Sequence, residues 1–160
     1  VNFPQGIGST TTQVGITGYL KGNGSGTVTE ALPATQAEME TATSTTVHVT
    51  PGRTQYHPGV AKGWVNAETT GSPGGSYNVT SVTDSGVGVI TINWTTAFSG
   101  GNASYVVTCT TQVGDSGVVR HVAVSNTTQP TTTATKITVM DDVGNLADPV
   151  RWHCVAFGDQ

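Results

Sequence analysis

The sequence predicts an all-β chain, and three observations carry that prediction. Of the 160 residues, 30 are Thr and 22 are Val, whereas only 3 are Leu. Val and Thr branch at Cβ, which stiffens χ1 and favours pleated strands, while Leu is the staple of helical cores. Short apolar runs also recur at roughly 8–15-residue spacing, with turn-forming clusters of Gly, Pro, Asn and Asp between them. Finally, residues 89–95 alternate, with Ile90, Ile92 and Trp94 on one face and Thr91 and Asn93 on the other.

Residues 1–33 read as an extended arm or linker. They hold many Gly and Thr, few large apolar residues, and dense turn signals at Pro4-Gln5-Gly6, Gly22-Asn23-Gly24 and Gly26. Such a segment cannot offset its backbone entropy by burying its own surface. It is either a flexible linker or an arm whose core comes from other copies of the chain. The strand-like pieces at 13–16 and 18–20 make the second option credible.

Residues 34–62 read as a neck. A helix is expected within 34–46, with Thr35 or its neighbour capping its start and Glu38 three residues on as capping-box partner. The Thr-rich end stops it after about two turns, so it must pack on something to be stable. Residues 47–50 then read as a short strand closed by the Pro51-Gly52 turn.

Residues 63–160 read as the distal domain. Strands are expected at 63–68, 77–82, 89–95, 105–111, 118–124, 136–140 and 150–158, with a turn over 71–75 and an exposed loop over 125–135. That succession predicts an antiparallel β-sandwich.

Composition excludes several functions. The six basic residues, Lys21, Arg53, Lys62, Arg120, Lys136 and Arg151, are scattered and the net charge is −4, so no nucleic-acid partner is expected. No apolar run approaches the ~20 residues that cross a bilayer, so no membrane insertion is expected. Gly-x-Ser-x-Gly, His-Glu-x-x-His, Cys-x-x-Cys and the phosphate-binding Gly-x-x-x-x-Gly-Lys are absent, so neither an enzyme nor a cofactor is expected.

The remaining chemistry-bearing residues have structural readings. Cys109 and Cys154 can pair, but both lie in apolar strand-like runs and are expected as two buried thiols. The acids are mostly Asp in turns, where they bond their own backbone. Asp141-Asp142 followed by Gly144-Asn145 looks like a fragment of a calcium loop that lacks its closing acid, and no metal is expected there. Of the four His, His48 and His57 are placed to approach a threefold axis, where one per chain makes a three-nitrogen site; packed, hydrogen-bonded rings are expected instead. Trp64, Trp94 and Trp152 offer sugar-stacking platforms, yet each sits in a strand-like run and is expected in the core, Trp64 and Trp152 less securely. Ligand contact is expected from loops on the rigid sandwich: Ser99 and Asn102 in 99–104, Asp115 and Ser116 in 115–117, and Asn126 and Gln129 in 126–135.

Several segments resemble bacteriophage tail-fibre proteins. Gly18-Tyr19-Leu20-Lys21-Gly22-Asn23-Gly24 is similar to one of their linking motifs. Ala34-Thr35-Gln36-Ala37-Glu38-Met39-Glu40, leading into Val49-Thr50-Pro51, resembles the short helix-then-strand motif before many fibre tips; Thr41-Ala42 stands where a Gly usually follows. Tyr77-Asn78-Val79-Thr80 through Thr95-Thr96-Ala97-Phe98-Ser99 resembles their distal β-domain, and Val155-Ala156-Phe157-Gly158-Asp159-Gln160 their C-terminus. Together these segments are spread from residue 18 to residue 160.

The resemblance implies an intertwined homotrimer whose tip contacts the host without catalysis. Ile7, Val14, Ile16, Leu20, Leu32, Met39, Val47 and Val49 would build a core between chains. Expected partners are other copies of the chain, tail or baseplate proteins, and a host cell-surface glycan or outer-membrane protein. The expected place is the virion tail fibre, made in the bacterial cytoplasm, with Val1 following a longer N-terminal part and Gln160 ending the chain. Three rivals are a structural head fibre or decoration without a receptor, a depolymerising tailspike, which needs an acid pair across a groove, and a secreted carbohydrate-binding module, which the arm and helix motif disfavour.

Overall fold

The computed structural model describes residues 19–22, 28–68, 73–102, 104–112 and 117–160. In the arm, β1 (Tyr19–Gly22) pairs antiparallel with β2 (Val28–Ala31), so residues 19–20 of the strand-like piece expected at 18–20 lie in a strand, and Gly18 lies outside the described residues. The piece expected at 13–16 lies outside the described residues.

The neck helix forms as its cap dictates. α1 (Gln36–Thr41) starts at Thr35, whose hydroxyl accepts the Glu38 amide at 3.2 Å, while Glu38 Oε2 accepts the Thr35 amide at 2.8 Å. Ala42 ends it in the left-handed region at φ 51°, a position usually given to Gly. The strand expected at 47–50 is absent; only His48 makes an isolated bridge, to Pro33. Thr50 is extended, and Pro51, with its fixed φ, begins the helical turn α2 (Pro51–Thr54) instead of closing a strand.

The sandwich has eight strands, one more than expected. β3 (Gly63–Glu68), β4 (Pro73–Tyr77), β7 (Tyr105–Gln112) and β10 (Arg151–Gly158) form one antiparallel sheet in the order β4-β3-β10-β7. β5 (Val79–Asp84), β6 (Val89–Trp94), β8 (His121–Val124) and β9 (Ala134–Met140) form the other, in the order β5-β6-β9-β8. The expected strand at 77–82 is two strands in different sheets, because Asn78 turns the chain at φ 58°. Its side chain fastens this corner: Nδ2 donates to the Lys62 and Thr96 carbonyls, and Oδ1 accepts the Thr96 amide at 2.6 Å.

Period-2 burial makes one core from both sheets. Val65, Ala67, Trp152, Cys154 and Ala156 face Ile90, Ile92, Trp94, Ile137 and Val139 across it. Phe98 stacks on Tyr105 with centroids 3.9 Å apart, and Trp94 meets both edge-on. Trp94 and Trp152 are core residues as expected, whereas Trp64 is 43% exposed. Parity explains the difference, since Trp64 shares its face of β3 with Asn66 and Glu68, and the opposite face carries Gly63, Val65 and Ala67.

The cysteines are not two thiols. Cys109 on β7 stands opposite Cys154 on β10, with Cα atoms 4.1 Å apart, and the two form a disulfide. Strand register, which spacing along the chain does not reveal, brings them together.

Candidate functional site

Strand direction sorts the connections to two ends. The neck docks where β3, β5, β7 and β9 begin. Lys62, just before β3, holds it there: its amide donates to the Ala156 carbonyl at 2.8 Å, and its Nζ donates to the Gln55 and His57 carbonyls. Lys62 is buried, and burial pushes its ammonium below the ordinary lysine range, against the pull of the Asp159 and Glu40 carboxylates.

Four of the loop residues expected to touch a ligand lie at this neck end. Ser99 is exposed, its hydroxyl bonded to Asp159 Oδ2 at 2.7 Å. Asn102 is exposed and lines a shallow 240 Å³ hollow with Val124 and Pro130, so loops 99–104 and 125–133 adjoin. Asn126 and Gln129 are exposed and bond each other through the Asn126 carbonyl and Gln129 Nε2, at 3.0 Å. Asp115 and Ser116 lie outside the described residues, in the connection between β7 and β8.

The neck end also carries an open cleft of 430 Å³. Tyr56 of the neck and Tyr77 of β4 line it with Gln55, Gln160, Thr95 and Thr96. Gln160 Nε2 donates to the Thr96 carbonyl at 3.0 Å, and Thr80 Oγ1 to Thr95 Oγ1 at 3.0 Å, so the wall opposite the neck is tied down. On the sheet's outer face Tyr77 pairs with Trp64, whose six-membered ring lies over Gly75.

The opposite, free end is apolar at its turns. Val87, Val118, Val119, Val143, Leu146 and Val150 are all exposed there, Val143 to 76%. The turns that hold three of them are interlocked. Gly88 N donates to Asp148 Oδ1 at 2.7 Å, Val139 N donates to the Gly88 carbonyl, and Leu146 bridges Met140. Gly88 has φ +65°, and a Cβ there would strike the Val139 carbonyl and the Ala147 amide.

Asp141 and His57 bond their own turns. Asp141 Oδ1 accepts the Asn145 and Val143 amides, and the Asn145 contact above all lowers its pKa. This is turn chemistry, as expected for the Asp141–Asn145 stretch. His57 Nδ1 accepts the Gly59 amide at 3.0 Å. Among the described residues no three His, Cys, Asp or Glu side chains come together to hold a metal. Among them, too, no helix is long and apolar enough to cross a membrane.

Sequence reasoning missed the tyrosine cleft and the apolar free end. The free end had a signal: Val87 lies between two glycines in a turn, where a large apolar side chain has nothing to bury it. The cleft had none, since Tyr56, Tyr77 and Gln160 meet only through the tertiary fold. Compared with family models, curated proteins and solved structures, the chain finds no match.

Proposed function

We propose that this chain is the distal part of a bacteriophage tail fibre and attaches the virion to the host surface without catalysis. The observation that carries the reading is the polarity of the sandwich: the neck is fastened to one end by Lys62, and the other end exposes six apolar side chains on its turns. Isolated exposed apolar residues are ordinary, but a group on interlocked turns marks an interaction surface. The connection that carries Asp115 and Ser116 springs from this same end. Leu32 at the end of the arm and Val49 in the neck support the trimeric part of the proposal, because both apolar side chains are exposed in the single chain. Three copies around one axis would cover them and would multiply weak tip contacts by avidity.

The test is competition. Excess purified protein slows adsorption of the virions that carry it, and a Val87→Ser/Val143→Ser/Leu146→Ser variant with an unchanged melting temperature competes poorly. Full adsorption in the presence of saturating free protein would overturn the attachment reading.

A further inference from the structure

We infer that the Tyr56–Tyr77 cleft is a binding site for an uncharged saccharide chain. Its volume, 430 Å³, suits one or two sugar rings held in an open groove. A sugar ring presents a patch of C–H groups on its face and hydroxyls around its rim. The cleft offers the complement: two aromatic rings for the face, and the side chains of Gln55, Gln160, Thr95 and Thr96 for the rim. Among the described residues that line it there is no Asp, Glu, Lys or Arg to pair with an acidic sugar or a phosphate.

The groove is also built in advance. Tyr56 is held by the Arg53 guanidinium, 5.9 Å from the ring centroid, and by the neck turn that Lys62 fastens. The corner at Tyr77 is held by the three hydrogen bonds of the Asn78 side chain. Little ordering is therefore left for binding to impose. Past Tyr77 the same surface continues onto Trp64, 43% exposed and braced over Gly75, and then to Asn66 and His153 on neighbouring strands. An extended polysaccharide can therefore run from the cleft across the sheet, stacking on Tyr77 and Trp64 in turn. The cleft lies at the neck end, away from the apolar turns that carry the attachment reading, so the inference goes beyond that reading and rests on it only for its biological meaning.

Affinity electrophoresis of the purified full chain tests it, in gels containing dextran, soluble starch, mannan, galactan or the polyanion polygalacturonate. The expected result is retardation by at least one neutral polysaccharide and none by polygalacturonate. Tyr77→Ala and Tyr56→Ala weaken the retardation roughly tenfold at unchanged melting temperature, Trp64→Ala weakens it less, and Tyr77→Phe retains it. No retardation by any neutral polysaccharide, retardation by polygalacturonate alone, or retardation that survives both tyrosine substitutions would overturn the site. So would binding of poly-L-proline in place of the sugars, or burial of the cleft by a second copy of the chain. The Val87→Ser/Val143→Ser/Leu146→Ser variant separates the two readings, since it keeps saccharide retardation even where it no longer competes for adsorption.

Discussion

Trp94 and Thr135 are joined by a buried hydrogen bond of 3.1 Å, from the indole Nε1 on β6 to the hydroxyl on β9. Thr135 is fully buried, and the Tyr105 hydroxyl lies 2.8 Å from the same oxygen. One hydroxyl thus satisfies one aromatic polar group and contacts another, which lets large rings with polar edges fill a core that is short of Leu. Thr135→Val keeps the shape and removes the acceptor. It lowers the unfolding free energy by about 1–3 kcal/mol in urea denaturation, and Thr135→Ser costs less. Equal stability of Thr135→Val and wild type would show that the bond contributes nothing.

The disulfide closes a loop between residues 45 apart in sequence. Chain-entropy reasoning gives about 4 kcal/mol for a loop of that size, an upper figure because native geometry always takes a share. Cys109→Ala/Cys154→Ala lowers stability by about 2–4 kcal/mol. Reductant lowers the melting temperature of the wild type and leaves the double variant unchanged. Two titratable thiols in the unreduced, purified protein would contradict the pairing.

Two carboxylates give acid sensitivity a defined sign. The Thr35 amide and hydroxyl lower the Glu38 pKa from 4.5, and the Asn145 amide lowers that of Asp141 from 3.8. Each folded-state pKa lies below its unfolded value, so each contribution is complete above that value and is lost as pH falls through the folded one. Melting temperature plotted against pH therefore falls less steeply below pH 4.5 for Glu38→Gln/Asp141→Asn than for wild type. Parallel curves would show that neither contact survives in solution.

The trimeric proposal makes a prediction about mass. Light scattering gives three times 16.4 kDa for the wild type, and Leu32→Ser/Val49→Ser shifts it towards the single-chain value while the sandwich keeps its near-ultraviolet dichroism. A folded wild-type monomer at micromolar concentration refutes the assembly.

The residues that were legible in the sequence, and those that were not, differ for physical reasons. Ile90, Ile92 and Trp94 announced their inward face because alternation is local, and Thr35 with Glu38 announced a helix start because capping spans one turn. Asn78 was hidden inside one apparent strand: a single left-handed residue moves the chain between sheets without interrupting the apolar pattern. Cys109 and Cys154 were hidden because register between β7 and β10 is a property of the whole sheet. Trp64 is expected in the core because it sits in a strand-like run, although parity with Asn66 and Glu68 points outward. Of the proposed recognition surfaces, the loop positions were legible as turns, but the meeting of Tyr56, Tyr77 and Gln160 depends on three segments far apart in the chain.

Attachment at the fibre tip is tested most directly by locating the chain on the particle. Gold-labelled antibody against the purified protein, viewed on intact virions by electron microscopy, should mark the outer ends of the tail fibres. Label on the capsid, or particles that carry none, would contradict it.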